Sequence, residues 1–238
     1  MLPDPEDLAD QLLDITGQRR PPTDVRTILG KWSQLSVVET ELDGDGFFID
    51  LGEVGGEIFV KKDKQETRKR FTLAHELGHF LLRQHIREQP KEQVIETWCN
   101  RFATQLLLPR SMVSRHLKAG GLKDFTKRLQ EGPNIFQVSE KAFYLRTSRL
   151  FPVSILNVLV SHAKVAVVDE YRSRDLESIL GSAEKLLTEE VMTFVVELAE
   201  TGIVQQQQFK QARAIWLARG IYRTRKIQKL LLVQLERR

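Results

Sequence analysis

The stretch RFTLAHELGHFLL, residues 70–82, constrains this 238-residue chain more than any other part of its sequence. Its apolar residues recur at helical spacing, which predicts one long helix from about residue 67 to residue 87. His75 and His79 stand four positions apart, so both imidazole rings project from one face of that helix. Two imidazoles at this spacing can bind a single tetrahedral zinc ion.

Glu76 adds a base to this pair of candidate ligands. It lies about 100° around the helix from His75, so its carboxylate flanks the metal instead of binding it. A carboxylate in that position can take a proton from a water molecule activated by zinc, the chemistry of H-E-x-x-H peptidases. The pentapeptide alone also fits an amphipathic helix whose histidines form hydrogen bonds in a core.

A third ligand is predicted on the next helix, from about residue 92 to residue 108. Glu96, Cys99, Asn100 and Ala103 have the spacing of one helical face. Glu96 can complete a His-His-Glu zinc site that keeps one open position. Asn100 can accept the free ring N–H of a ligating histidine and so fix its tautomer. The alternative for Glu96 is a solvated surface acid.

Cys99 is the only cysteine of the chain. A thiolate is a strong zinc ligand, so one hypothesis places Cys99 at the fourth position, where it displaces water and holds the enzyme inactive. The alternative is a small buried apolar residue, as most free cysteines are.

The regions around this motif predict an α+β fold. Three runs with strand character, 36–42, 47–51 and 58–62, are separated by Gly/Asp-rich turns and predict an antiparallel meander. Apolar periodicity and glycine joints predict further helices at about 5–15, 24–32, 111–118, 122–130, 139–150, 174–187, 188–201, 206–219 and 221–236.

Composition excludes several classes of protein. A hydrophobic fraction of 41% and a charged fraction of 29% exclude a disordered or collagen-like chain. No apolar run reaches the length of a spanning helix. The acidic N-terminus is unlike a signal peptide, and one cysteine gives no internal disulfide. We therefore expect a cytoplasmic protein.

Charge is unevenly distributed along the chain. Residues 205–238 carry nine bases against one acid, after an acidic stretch at 165–204. A basic tail with aromatic residues can bind single-stranded nucleic acid through phosphate contacts and base stacking. The alternative is a basic helix that packs on the acidic one before it. The candidate binding residues are Lys210, Arg213, Trp216, Arg219, Arg223, Arg225 and Lys226.

RFTLAHELGHFLL followed by ETWCNRFATQLLLP, residues 96–109, resembles the ImmA/IrrE family of bacterial zinc metallopeptidases. The preceding GFFIDL and GGEIFV runs are similar to that family's N-terminal part. The resemblance implies that His75, His79 and Glu96 bind Zn²⁺ and that Glu76 is the catalytic base. It departs from the family at Cys99, where alanine is usual.

The resemblance also implies a fold and a domain organisation. The fold is a zincin-like metallopeptidase core, in which a small antiparallel sheet packs on the H-E-x-x-H helix and the Glu-bearing helix, with a helical C-terminal region. The expected domains are a zinc metallopeptidase domain at 1–121, a helix-turn-helix-like helical subdomain at 122–165 and a helical region with a basic tail at 166–238.

The expected function is that of a regulatory endopeptidase. Members of the family cleave a partner helix-turn-helix repressor and so derepress stress, mobile-element or antiphage operons, some of them in response to DNA damage or single-stranded DNA. The alternative is a DNA-responsive binding regulator with a structural zinc and no peptidase activity. We expect the substrate strand to pair with a sheet edge at about 58–62. Candidates for stabilising the oxyanion are His85, His116, Tyr144 and His162.

Overall fold

The computed structural model describes residues 2–85, 90–161, 164–172, 189, 191–193, 195–196, 207–211, 214–223 and 228–236. The helices are α1 (Pro5–Ile15), α2 (Val25–Leu29), α3 (Glu66–Leu82), α4 (Glu92–Leu107), α5 (Arg110–Lys118), α6 (Gly121–Phe136) and α7 (Glu140–Leu150). The strands are β1 (Leu35–Thr40), β2 (Gly46–Asp50), β3 (Gly56–Lys61), β4 (Val153–Ser161), β5 (Lys164–Arg172), β6 (Gln207–Gln211), β7 (Ala214–Arg223) and β8 (Gln228–Glu236). The predicted α+β class is therefore confirmed.

The chain forms two compact units. One contains residues 1–113 and 132–142, and the other contains residues 114–131 and 143–238. The boundaries of the three expected domains stay a prediction. Among the described helices, none is long and apolar enough to cross a bilayer.

Aspartate caps begin the first two helices of the first unit. Asp4 accepts hydrogen bonds from the backbone N–H groups of Glu6 and Asp7, and Pro5 takes the first helical position, where a missing N–H costs nothing. Asp24 accepts from the backbone N–H of Thr27 at 3.0 Å. These contacts satisfy donors that a helix N-terminus leaves unpaired.

The sheet of the first unit has the order β1-β3-β2, so the predicted meander is wrong. β2 and β3 form an antiparallel hairpin, but β1 runs parallel to β3 with Val37 opposite Ile58. Ile58 and Val60 are almost fully buried. The apolar strand β3 is stabilised most in a central position, where it is paired on both sides. The Gly/Asp turn after β1 lets the chain pass β3 before it forms β2. The expected substrate edge at 58–62 is also wrong, because β3 is not an edge.

The helix α3 packs on one face of this sheet. Phe48 of β2 meets Phe80 of α3 edge-to-face, with ring centroids 5.9 Å apart. At Gly46 an added Cβ would lie 2.4 Å from the Thr72 methyl group, so glycine permits the close approach of strand and helix. The sheet therefore packs against one face of α3, and the face that carries the histidines is left for α4.

The helices α5 to α7 follow the sequence pattern closely. α6 extends from Gly121 to Phe136, longer than the predicted 122–130, and Gln137 joins it to α7 with a φ of 52°. The backbone N–H of Ala142 donates to the Ser139 side chain at 3.2 Å, as expected of an N-cap. The helix-turn-helix-like character of this segment stays a prediction.

The predicted helical C-terminal region is wrong for the strands that the structure describes. β4 to β8 form a five-stranded antiparallel sheet in the order β5-β4-β8-β7-β6. The predicted helices at 206–219 and 221–236 are β6, β7 and β8, and strand β4 ends the helical subdomain expected at 122–165. Short apolar runs fit the period of a helix as well as that of a strand. The pairing of β8 with β4 stabilises the strand conformation here. The predicted helix at 174–187 lies outside the described residues, whereas 191–193 within 188–201 are helical.

Candidate metal centre

The two histidines of α3 converge at one point. Four-residue spacing places their rings on one face, with ring centroids 5.0 Å apart, and the Nε2 atoms of His75 and His79 approach to 3.2 Å. Burial lowers the pKa of both imidazoles, an effect that the charge of Glu96 opposes. Burial therefore favours neutral rings, the form that binds a metal.

Glu96 of α4 completes this cluster. Its Oε2 lies 3.3 Å from Nε2 of His75, and its Oε1 lies 3.2 Å from Nε2 of His79. The Glu96 side chain is 45% exposed, so the cluster is open to solvent on that side. Within the described parts of the chain, this is the one group of three or more His, Cys, Asp or Glu residues whose ligand atoms lie within 4.8 Å of one another.

The donor geometry fits a small divalent cation. Tetrahedral ligands bonded at about 2.0–2.1 Å lie about 3.4 Å apart, close to the distances between these nitrogen and oxygen atoms. Two neutral nitrogens and one carboxylate are a ligand set that zinc prefers, with a fourth position left for solvent or substrate. The residues present therefore fit a catalytic type of site.

Asn100 lies behind His75, one helical turn beyond Glu96. Its Oδ1 is 3.1 Å from Nδ1 of His75 and can accept the ring N–H there. A proton on Nδ1 leaves the lone pair of Nε2 free for a metal. The structure thus brings Asn100 together with His75 in the orientation that the sequence predicts.

Glu76 is a buried carboxyl group beside the cluster. Burial, and then the negative charge of Glu96, raises the pKa of Glu76 to about 7. A carboxyl group with a pKa near neutrality can both accept and donate a proton at physiological pH. This property distinguishes Glu76 from the acids on the outer surface of the helices.

Cys99 is not brought together with the three candidate ligands. Its side chain is fully buried, and its Sγ would lie 3.3 Å from a Cβ added at Gly78. The thiol therefore fills the space where α4 crosses α3. Burial and the nearby carboxylates also raise the pKa of Cys99, which disfavours the thiolate. The structure favours a packing role over a fourth ligand.

The structure describes three of the four candidates for stabilising the oxyanion. The Nε2–H of His116 donates to the backbone oxygen of Arg128, and the His116 ring contacts Phe143 within the second unit. Tyr144 is fully buried in the same unit against Tyr171. His85 is exposed after α3 in the same unit as the cluster, and His162 lies outside the described residues.

Two neighbours of the cluster were not predicted as site residues. The Phe71 ring lies 6.2 Å from the His75 ring, and Arg68 stands two turns before His75 with its guanidinium paired to Asp45. The charge of Arg68 contributes to the lowered pKa of His75. Their sequence signal is spacing, since positions 68, 71, 75 and 79 share one face of α3.

The tail residues predicted to bind nucleic acid lie in strands where they are described. Lys210 is in β6, and Trp216, Arg219 and Arg223 are in β7. Arg213, Arg225 and Lys226 lie outside the described residues. The predicted helices that would carry these residues are wrong where the structure describes strands, and the binding of nucleic acid stays a prediction.

A His-His-Glu cluster from two packed helices, with a buried glutamate beside it, is the arrangement of metallopeptidases of the H-E-x-x-H class. Residues 35–148 match the family model described as the IrrE N-terminal-like domain of peptidase family M78. This segment, just under half of the chain, is similar to the ImmA/IrrE family.

This chain resembles known proteins in sequence and in structure. The radiation response metalloprotease IrrE of Deinococcus radiodurans is 29% identical over 146 residues, which cover 55% of this chain and 42% of that protein. The match thus spans less than half of the relative's length. A Mycobacterium tuberculosis transcriptional regulator is similar in structure, with a TM-score of 0.53 at 13% identity over 98% of this chain and 76% of that one. At that identity the likeness concerns the fold alone.

Proposed function

We propose that this chain is a zinc-dependent endopeptidase that cleaves a helix-turn-helix transcriptional repressor at a specific site. Cleavage would derepress a stress, mobile-element or antiphage operon in the cytoplasm. The observation that carries the proposal is a buried Glu76, with its pKa raised to about 7, beside the His75-His79-Glu96 cluster. The match to the IrrE N-terminal-like family model and the relative named a radiation response metalloprotease support the same reaction class.

The protein's own residues have separate roles in this reaction. His75, His79 and Glu96 would hold the zinc, which supplies Lewis-acid polarisation of the scissile carbonyl and activation of water. Glu76 takes a proton from the attacking water and delivers it to the leaving amine nitrogen. Asn100 orients His75, and the exposed side of Glu96 leaves room for an extended substrate.

The activating signal in this proposal is single-stranded DNA or another product of DNA damage. The basic strands β6 and β7 carry Lys210, Trp216, Arg219 and Arg223, residue types that neutralise phosphates and stack on bases. Labelled oligonucleotides test this part separately. Binding that weakens steeply as salt increases is expected, and binding that is independent of salt would contradict a phosphate contact.

The proposal is tested by incubating the zinc-loaded chain with a helix-turn-helix repressor encoded beside it, with and without single-stranded DNA. We expect the wild type to cut one bond and Glu76→Gln to cut none. Glu66→Gln is the matched control, because Glu66 lies on the same helix about 15 Å away along its axis. Equal cutting by wild type and Glu76→Gln would contradict the assigned base.

The alternative is a DNA-responsive binding regulator with a structural zinc and no peptidase activity. An absence of cutting by all variants, with oligonucleotide binding intact, would favour it. The open side of the cluster argues against it, because structural zinc sites usually have four protein ligands.

A further inference from the structure

The sheet of the first unit exposes apolar side chains on the face that points away from α3. Phe48 and Ile58 point toward α3, so alternation along the strands directs Phe47, Ile49 and Phe59 to the opposite face. The rings of Phe47 and Phe59 stack with centroids 4.9 Å apart. Phe47 is nevertheless 43% exposed and Ile49 is 39% exposed.

This apolar surface continues into the turn that follows β2. Leu51 is 45% exposed and Val54 is 80% exposed. We call Phe47, Ile49, Leu51, Val54 and Phe59 the outer patch. Scattered apolar residues are normal on a surface, but several exposed together on one face of a sheet mark an interaction site. A second layer that covers such a face is the usual arrangement in folded domains.

The charge around the outer patch is mainly negative, although Lys61, the last residue of β3, lies on the same face as Phe59. Residues 32–60 contain no lysine or arginine and seven acids. Asp45, Glu39 and Asp50 are paired with bases, but four others make no ion pair with any residue in the described part of the chain: Glu41, Asp43, Glu53 and Glu57. Glu57 stands directly opposite Ile49 in the strand register. This rim repels phosphate groups and attracts lysine and arginine.

We propose that the outer patch is a docking surface for the protein substrate, on which one of its helices lies with an apolar stripe bordered by lysine and arginine. The inference rests on the proposed function, since it names how that substrate is held. A DNA-binding regulator carries basic side chains, which complement the acidic rim. The patch faces away from α3, so a docked helix leaves His75 and His79 accessible to the segment that is cut.

The test is a binding measurement with a defined probe. A fluorescein-labelled 18-residue peptide of leucine and lysine, with leucines at helical i, i+3, i+4 and i+7 positions, is titrated with the zinc-loaded Glu76→Gln protein to exclude hydrolysis. We expect the peptide to bind and to bind less tightly as salt increases. The double variant Phe47→Ser/Ile49→Ser should weaken binding about tenfold, the effect of removing central apolar contacts.

Matched variants separate docking from misfolding. Val54→Ser changes a side chain on an exposed turn and should also weaken binding, whereas Val94→Ser, at a similarly exposed apolar residue of α4, should not. Circular dichroism and zinc affinity check each fold. A peptide with glutamate in place of lysine is expected not to bind.

Three other outcomes overturn the proposal, and a fourth separates its failure from that of the proposed function. Equal binding by wild type and the two patch variants would mean that the peptide binds elsewhere, and equal binding of the glutamate peptide would remove the role of the rim. Self-association that Phe47→Ser/Ile49→Ser abolishes, without peptide binding, would make a second copy the occupant. If the chain cuts no repressor and the peptide still binds after zinc removal, the proposed peptidase activity is refuted and the docking surface is retained.

Discussion

At the scale of single residues, the His75 ring is fixed through both of its nitrogens. Asn100 lies at Nδ1, while Nε2 points toward His79 and Glu96. Burial lowers the pKa of His75, which favours the neutral ring. The ligand atoms are thus already close together, and a metal binds without a large rearrangement.

Replacement of Asn100 by alanine tests this orientation. Loss of the hydrogen bond to Nδ1 should weaken zinc affinity about 10- to 100-fold, as is typical when a group that orients a ligating histidine is removed. Competition with a zinc chelator measures the change. Thr97→Ala, on the same helix, should leave affinity unchanged because the Thr97 hydroxyl donates to the backbone of Gln93. Equal affinities in all three proteins would contradict the role of Asn100.

Cys99 allows a test of packing against metal binding. Because the thiol is fully buried between α3 and α4, Cys99→Ala should lower the free energy of unfolding by about 1 kcal/mol. Basal peptidase activity should stay unchanged. Urea denaturation and initial cleavage rates measure the two effects. A large gain of activity without loss of stability would instead support the inhibitory fourth-ligand hypothesis.

At the scale of elements, the site depends on how closely α4 approaches α3. An added Cβ at Gly78 would lie 3.3 Å from both the Cα and Sγ of Cys99 and from the Phe102 ring. Glycine at this position therefore lets α4 lie close enough for Glu96 to reach the histidines.

Gly78→Val should separate the two helices. Overpacking of this kind costs about 1–3 kcal/mol of stability, and the shift of Glu96 should weaken zinc binding as well. Gly78→Ala should show smaller effects of the same sign on zinc affinity. Chemical denaturation and zinc titration measure both quantities. Undiminished zinc affinity in Gly78→Val would contradict the link between helix spacing and the site.

The N-cap of α2 predicts a pH-dependent contribution to stability. Hydrogen bonds from the backbone and hydroxyl of Thr27 lower the pKa of Asp24. The carboxylate therefore stabilises the fold above its unfolded pKa of about 3.9, and this contribution disappears as pH falls through the lower folded value. Asp24→Ala should cost about 1 kcal/mol at neutral pH and almost nothing in strong acid.

Denaturation of Asp24→Ala across this pH range checks the effect, with Asp24→Asn as the control. Asparagine caps without ionising, so its stability difference from alanine should not change with pH. A difference between wild type and Asp24→Ala that grows in acid would contradict the assignment.

The elements differ in how far the sequence predicts them. The helix-borne residues His75, His79, Glu96 and Asn100 depend on local spacing, which the sequence carries directly. The parallel pairing of β1 with β3 and the pairing of β4 with β8 depend on contacts distant in sequence. Local periodicity cannot distinguish a short apolar strand from a helix there, and the C-terminal helices were wrong for that reason.

At the scale of the whole molecule, one of the two units contains the whole candidate metal centre. All candidate ligands lie within residues 1–113. Zinc at 100 times its dissociation constant should stabilise that unit by about 2.7 kcal/mol. Hydrogen exchange should therefore slow in α3 and α4 and stay unchanged in β4 and β5. Equal slowing in both units would contradict a site confined to the first.

The central claim is that His75, His79 and Glu96 bind one zinc ion and leave a position open. X-ray absorption at the zinc edge of the loaded protein tests it most directly. We expect one zinc per chain, with only nitrogen and oxygen neighbours at about 2.0–2.1 Å, two of them from imidazoles. A sulfur neighbour at about 2.3 Å, or a spectrum without imidazole scattering, would contradict it.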